Sequence, residues 1–469
     1  MPPRSASSAD PLTATKPAPA ASEGRRPSLD EFIRLIETKT IIRLAPESQE
    51  LVPAGGPADP VAPTLFGDVR NRAADDNLQR WSSTTKNSFW NGRSPTGEPA
   101  VCTTLSSIAK EANAAEEALR AAQMLGAEIP DILVDFTADR RTADLGQIGA
   151  LQAPHRGYDA LLRDSLLGNA LFHASSIGRE LTDAKATSAT ALLMLPHMLI
   201  FGAWHSQGVG GGSGTKIGRA LKAEIIGYGA IPADIAASRI DPTGIRSSEE
   251  LKIYKPRAES AGSPDLLSNG TRPNPGWETD PTFAEHDKGK PVLLTSKKRE
   301  AGTTGGTAAL VNHSNVKPSA RSGRATITGA VHIMDLSLTA LRSLSFPESP
   351  GMPATWERNR LAWTTLAALA LVAMTHRLAA GYHLRSGCDL IARKAPRFEV
   401  VGTSLEDISE LDIDADGARA LLRDAVAALR AAKMPWGPPE HARTLKPTPQ
   451  LIEAIVASKA LPEDGETSA

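Results

Sequence analysis

A lysine placed after a run of glycines is a candidate grip for phosphate. Residues 208–222 read GVGGGSGTKIGRALK, and glycines let backbone amides approach an anion closely. A nucleoside-triphosphate loop of the form G-x-x-x-x-G-K-S/T needs its lysine directly after the last glycine, and a hydroxyl after the lysine for magnesium. Here the order is Gly214, Thr215, Lys216, Ile217. The lysine is displaced by one position and isoleucine replaces the hydroxyl. The glycines also give no G-x-G-x-x-G with a following acidic ribose partner. The spacing therefore argues against a mononucleotide and leaves a more general affinity for phosphate. Helical spacing in IGRALKAEIIGYG would put Lys216, Arg219 and Lys222 on roughly one helix face, with no acid before Glu224. A polyanion backbone fits such a face, and so does plain solvation.

A second basic region runs from Lys288 to Arg324. It holds Lys288, Lys290, Lys297, Lys298, Arg299, Lys317, Arg321 and Arg324 against one acid, Glu300. The interleaved Ser, Thr and Asn residues are the groups that contact phosphate and sugar; the same composition also suits a solvated loop. Asp412, Asp414, Asp416 and Gly417 begin like a calcium loop, but the twelfth position, which needs a bidentate glutamate, is Arg423. Those acids suit the N-terminus of the helix that follows. The histidines show no tight ligand spacing, and no G-x-S-x-G elbow is defensible. No acid–base constellation emerges, so the expectation is a protein without catalytic residues, metal or cofactor.

These residues need elements to hold them. SLDEFIRLIE opens order with a capping-box pattern at Ser28 and Glu31. TTLSSIAKEANAAEEALRAAQML reads as a helix and DILVDF as a strand. GYDALLRDSLL and TSATALLMLPHMLIFGAW read as helical, the second broken at Pro196. GRATITGAVHIMDLSLTALRSL reads as a strand entering a helix, and TWERNRLAWTTLAALALVAMTHRLAAGY as a long, mostly buried helix. HLRSGCDLIA and RFEVVG read as strands, and ARALLRDAVAALRAAK as a closing helix. The pattern predicts an α+β fold: a tail over 1–27, a core over 28–402 with insertions near 53–97 and 251–324, and a helical extension with a flexible tail over 403–469.

With 52 basic and 53 acidic residues the formal charge is −1, which excludes a wholly basic coat and leaves local patches open. Two cysteines, Cys102 and Cys388, cannot build a disulfide framework. The first residues contain no apolar run of a secretory signal. The most apolar stretch, Leu361–Met374, is shorter than the ~20 residues that span a bilayer. A soluble, cytoplasmic protein is expected.

Six segments, HRGYDALLRDS, LLMLPHMLIFGAWHSQG, TKIGRALKAEIIGYGA, ASRIDPTGI, ATITGAVHIMDLSLTALRSLSFP and GYHLRSGCDLIA, fall in an order that resembles one family. It is the Cas-seven-type, RAMP-superfamily backbone subunit (Csb family, GSU-type) of the type I-U, or I-G, CRISPR Cascade complex. The resemblance runs from about Thr103 to Val401. It implies an RNA-recognition-motif-like, ferredoxin-like palm with large inserted helical and thumb-like hairpin elements. It further implies a CRISPR RNA-binding backbone whose copies stack along the guide, while guide pairing reads the target DNA strand. A large Cas-eight-type subunit, a Cas-five/Cas-six-type subunit and no membrane complete the implied partners. A metal-dependent ribonuclease subunit of the type III kind is the alternative. Residue by residue, Ser107, Asn113, Glu116 and Glu117 keep the family pattern, whereas Ala109 and Ala114 stand where Gln and Arg are expected. Lys110, one turn away, takes the place of that arginine, and His205 follows Trp204 where an aspartate is usual. The implied RNA contacts are Lys216, Arg219, Lys222, Lys297, Lys298 and Arg299, then His205, Ser206, Lys110, Asn113, Arg163 and Arg385.

Overall fold

The computed structural model describes residues 25–64, 89–205, 215–239, 251–257, 277–294 and 316–459. Ser206, Lys297, Lys298, Arg299 and the glycine run 206–214 lie outside the described residues. Helix α1 (Leu29–Thr38) opens with a closed capping box, the Ser28 hydroxyl accepting from the Glu31 amide at 3.3 Å and the Glu31 carboxylate from the Ser28 amide at 2.9 Å. Strands β1 (Ile41–Leu44), β2 (Glu50–Pro53), β3 (Phe89–Arg93) and β4 (Pro99–Ser106) precede α2 (Ile108–Met124), which Ser107 caps. The residues Thr103 to Ser106, expected at the head of that helix, instead end β4.

Short elements follow: β5 (Leu133–Asp135), β6 (Gln147–Gly149), α3 (Ala160–Arg163), β7 (Ser165–Leu167), β8 (Ala170–Leu171), α4 (Ser176–Asp183) and α5 (His197–Phe201). Pro196 breaks the chain just ahead of α5, as its fixed φ predicts. Then come β9 (Ala203–Trp204), β10 (Lys216–Ile217), β11 (Leu221–Tyr228), β12 (Ile231–Arg239), β13 (His286–Asp287), β14 (Lys290–Pro291), β15 (Val316–Thr326) and β16 (Gly329–Ser337). The chain closes through α6 (Leu338–Arg342), α7 (Trp356–Ala379), β17 (Tyr382–Arg385), β18 (Cys388–Ala392), β19 (Phe398–Val401), β20 (Ile408–Leu411), α8 (Ala415–Ala431), β21 (Thr444–Pro447) and α9 (Pro449–Lys459). The fold is mixed α+β with several sheets. HLRSGCDLIA is a hairpin, not one strand, turning where Gly387 takes φ +71°.

The basic helix expected after the glycine run is not formed. Its residues are β10, a short turn and β11. Leu221, Ala223 and Ile225 are buried while Lys222, Glu224 and Ile226 are half-buried, which is the two-residue period of a strand. Pairing with β16 over the full length of β11, from Leu221↔Leu336 to Tyr228↔Gly329, decides between the periods. Lys216, Arg219 and Lys222 therefore share no helix face.

Two compact units divide the described chain, one built up to Ile231 and again from Thr326, the other from Pro232 to Ala325. In the first unit β16 is the central strand. It pairs with β11 on one side, and on the other with β1 near its end and β2 near its start, all antiparallel. Beyond β11 lie β4 and β3; beyond β1 lie β19 and β20; beyond β2 lie β18 and β17. A smaller sheet of order β6-β5-β21-β7-β8 completes this unit. Within the second unit, β12 and β15 form one two-stranded sheet and β13 and β14 another.

Helices α2 and α7 pack on the large sheet through β11 and β16, and α1 and α8 pack on α7. Helix α7 is buried from Leu361 to Arg377, as its apolar run predicts. It is long and apolar enough to cross a membrane, but 94% of its apolar window lies inside the protein. Its threonines are satisfied internally: Thr365 and Thr375 each donate to the carbonyl four residues back at 2.8 Å. Residues beyond 402 contribute to this same core, because α8 packs on α7 and the Trp436 indole donates to the Glu128 carbonyl at 2.7 Å.

Helix α2 turns two glutamates into the protein, and each meets an arginine. Arg377 of α7 donates to Glu111 at 3.0 and 3.2 Å, with His332 of β16 at 3.4 Å from the same carboxylate. Arg156 donates to Glu116 at 2.6 and 3.2 Å. Burial pushes the Glu111 carboxyl up, but His332 and Arg377 outweigh it and hold the group down at about 2.

Two expectations follow from this pairing. Arg377→Ala should cost about 3–5 kcal/mol by stranding a buried carboxylate, whereas Glu111→Leu combined with Arg377→Met should cost far less; urea-unfolding midpoints of the three proteins check the difference. The depressed carboxyl contributes stability that is complete above pH 4.5 and is lost as pH falls toward about 2. An acid titration followed by circular dichroism should show that share in the wild type and not in Glu111→Gln.

Candidate nucleic-acid interface

The N-terminal end of α2, the β9–β10 ribbon and the β17–β18 hairpin are tied together by basic side chains. Arg219, in the turn before β11, donates to the Phe201 carbonyl and to the Ile108 carbonyl, both at 3.1 Å. Arg156 lies over the Phe201 ring at 5.5 Å and donates to the Gly202 carbonyl at 2.9 Å. Gly202 takes φ +79°, and a Cβ there would meet the Ile217 carbonyl oxygen at 3.1 Å. Only glycine lets the chain turn from α5 into β9 so close to β10.

Across the same junction, the Lys110 ammonium donates to the Leu384 carbonyl. Arg385 donates to the Ala62 and Leu105 carbonyls and, at 2.9 Å, to the Thr64 hydroxyl. Burial lowers the pKa of both side chains. It also pushes the neighbouring Cys388 thiol up, against the pull of Arg385 and Lys110. A basic group that gives donors to backbone carbonyls helps fix the scaffold with part of its donor set.

The structure thus divides the expected contacts. Arg219, Lys110 and Arg385 act as clasps between segments. Lys222 pairs with Glu224 at 3.0 Å on the sheet face away from the helices, and that partner raises its pKa. Arg163 pairs with Asp164 at 2.8 Å. His205 faces inward: its ring stacks on Tyr158 with centroids 4.9 Å apart, and His173 stands edge-on at 6.1 Å. Burial lowers the pKa of both imidazoles, favouring neutral rings over phosphate-binding cations. Lys216 and Asn113 are exposed. Lys216 makes no hydrogen bond or ion pair among the described residues. In the second unit, Lys288 and Lys290 are exposed around the β13–β14 turn.

Reading by sequence missed Trp204. Its position at the end of an apolar run suggested a helix, yet the indole is 60% exposed on β9. The available signal was the glycine at 202, which ends α5 and starts a strand whose residues alternate between faces. The paired glutamates were also illegible, since their arginines lie 40 and 266 residues away. Among the described residues no group of three His, Cys, Asp or Glu side chains could hold a metal ion. Asp414 caps α8 by accepting from the Gly417 amide at 2.8 Å, the role its place before the helix predicts.

Residues 47–232 match the family model of the CRISPR-associated protein GSU0053. No curated protein matches the chain. The matched span contains α2 and the whole of β9, β10 and β11.

The division into clasps and exposed groups is testable by stability alone. Arg385→Ala removes three donated bonds, taking this partner from the Ala62 carbonyl while the Leu105 carbonyl keeps the Thr64 hydroxyl, and should lower stability by about 1–3 kcal/mol. Lys216→Ala, at an exposed position, should change it by no more than about 0.5 kcal/mol. Thermal and urea unfolding of the two variants, compared with the wild type, measures both.

Proposed function

We propose, from the match of residues 47–232 to a CRISPR-associated family, that the chain is a guide-RNA-binding backbone subunit of a type I-U/I-G surveillance complex. Copies oligomerise along the guide in the cytoplasm, beside a large Cas-eight-type and a Cas-five/Cas-six-type subunit. Pairing between guide and target DNA reads the sequence. The subunit itself is non-catalytic and touches phosphate and sugar.

The observation that carries this reading is the sheet order β19-β1-β16-β11, antiparallel throughout, with α2 between β1 and β11 and α7 between β16 and β19. That connectivity supports a β-α-β-β-α-β, ferredoxin-like and RNA-recognition-motif-like palm. The second unit leaves between β11 and β16, where an inserted thumb-like hairpin would lie. Exposed Lys216 and Asn113 beside the clasped junction supply an ammonium and a carboxamide of the kinds that meet phosphate and sugar.

The chain expressed with its guide should carry short RNAs of uniform length through purification, a result that a plain protein-binding module would not give. Lys216→Ala should weaken single-stranded RNA binding by a similar factor across unrelated sequences. It should also flatten the plot of log K against log salt by about 0.7, the loss of one phosphate contact. Regular cleavage of a complementary RNA by the assembled complex would instead favour a ribonuclease.

A further inference from the structure

Trp204 is placed where the fold has no use for it. Of the described tryptophans in the first unit, Trp363 and Trp436 are buried, Trp90 is half-buried on β3, and Trp356, though 59% exposed, packs edge-on against Trp363 with centroids 5.5 Å apart. Trp204 is 60% exposed, while Ala203 on one side is buried and His205 on the other turns inward onto Tyr158. Strand alternation fixes this outcome: two neighbours facing the protein force the residue between them outward.

In the antiparallel β9–β10 pair, Trp204 lies directly opposite Lys216. Opposed residues put their side chains on one face with Cβ atoms about 4.5–5.5 Å apart. An exposed indole therefore stands beside an exposed ammonium that has no partner among the described residues. The ribbon beneath them is held from several directions. The His205 amide donates to the Thr215 carbonyl at 2.9 Å, the Ala220 amide to the Ile200 carbonyl at 2.9 Å, and Arg156 and Arg219 secure Gly202 and Phe201. An apolar plane and a cation at fixed separation match the two ends of a nucleotide, base and phosphate. Neither an indole face nor an ammonium presents a pattern of donors and acceptors to a base edge, so the match of this pair is to any base.

We propose that Trp204 and Lys216 form a site for one unpaired nucleotide of single-stranded RNA, the base stacked on the indole and the adjoining phosphate on the ammonium. The proposal rests on the RNA-binding reading above and adds to it a base-stacking contact that is independent of sequence.

The test is fluorescence anisotropy of labelled single-stranded RNA against the full chain at several salt concentrations, repeated with an oligonucleotide of equal length bearing abasic positions. Trp204→Ala should lower affinity for the base-bearing RNA about tenfold. Its salt slope should match the wild type, because no phosphate contact is lost. Trp204→Phe should retain most of the affinity, and on abasic RNA the wild type and Trp204→Ala should bind alike. Equal binding of base-bearing RNA by wild type and Trp204→Ala overturns the stacking site while leaving RNA binding intact. An equal loss on base-bearing and abasic RNA also overturns it. A variant that binds RNA normally but loses a co-purifying protein subunit overturns it in favour of a protein contact. Failure of the wild type to bind any RNA sinks the functional reading itself.

Discussion

Helix α2 cannot sit where it does unless two buried negative charges are met. Glu111 and Glu116 point into the core, and an unpaired carboxylate there would cost several kcal/mol. The partners come from distant parts of the chain, Arg377 at the end of α7 and Arg156 in the loop before α3. Meeting the first charge fixes α2 against α7 and β16. Meeting the second fixes it against α5 and the turn into β9, since Arg156 also holds the Gly202 carbonyl. The large sheet, the central helix and the exposed ribbon thus take their mutual positions from one helix and its two ion pairs.

That arrangement explains how basic residues are used around the junction. Arg219, Lys110 and Arg385 stand close to the α2 N-terminus and close loops onto it through backbone carbonyls. Their positive charge still contributes to the local potential, while part of each donor set is committed to the scaffold. What remains exposed is small in number and rigid in position, and rigidity is what a weak, repeated contact to a polyanion requires. In the proposed assembly along a guide, affinity would come from repetition, so each copy would need few contacts.

Local signals in the sequence translated directly into structure. Ser28 and Glu31 close a capping box within one turn, Pro196 breaks a helix by its own ring, and the apolar run of α7 is buried on all sides. Where two periods fit the same letters, the outcome depended on a distant partner. IGRALKAEIIGYG satisfies a helical spacing and a strand alternation, and β16, more than a hundred residues later, selects the strand. The pairs Glu111–Arg377 and Glu116–Arg156 carried no local signature, because each charge alone reads as an ordinary solvated residue.

The same distinction accounts for how the candidate site was read. The segments that resemble a family are rich in residues that hold the scaffold: Arg156 and Tyr158 lie in HRGYDALLRDS, Arg219 in TKIGRALKAEIIGYGA, and Arg385 in GYHLRSGCDLIA. A motif made of such clasps identifies a fold reliably and marks its surface poorly. Among residues taken from spacing or motif position, Arg219 and Arg385 donate to backbone carbonyls, and His205 stacks inward on Tyr158. Trp204 and Lys216 were separable from them only once β9 and β10 were seen to pair. A strand pair places opposed side chains on one face whatever lies between them in sequence, and here the masking interval was the glycine run that had looked like the site itself.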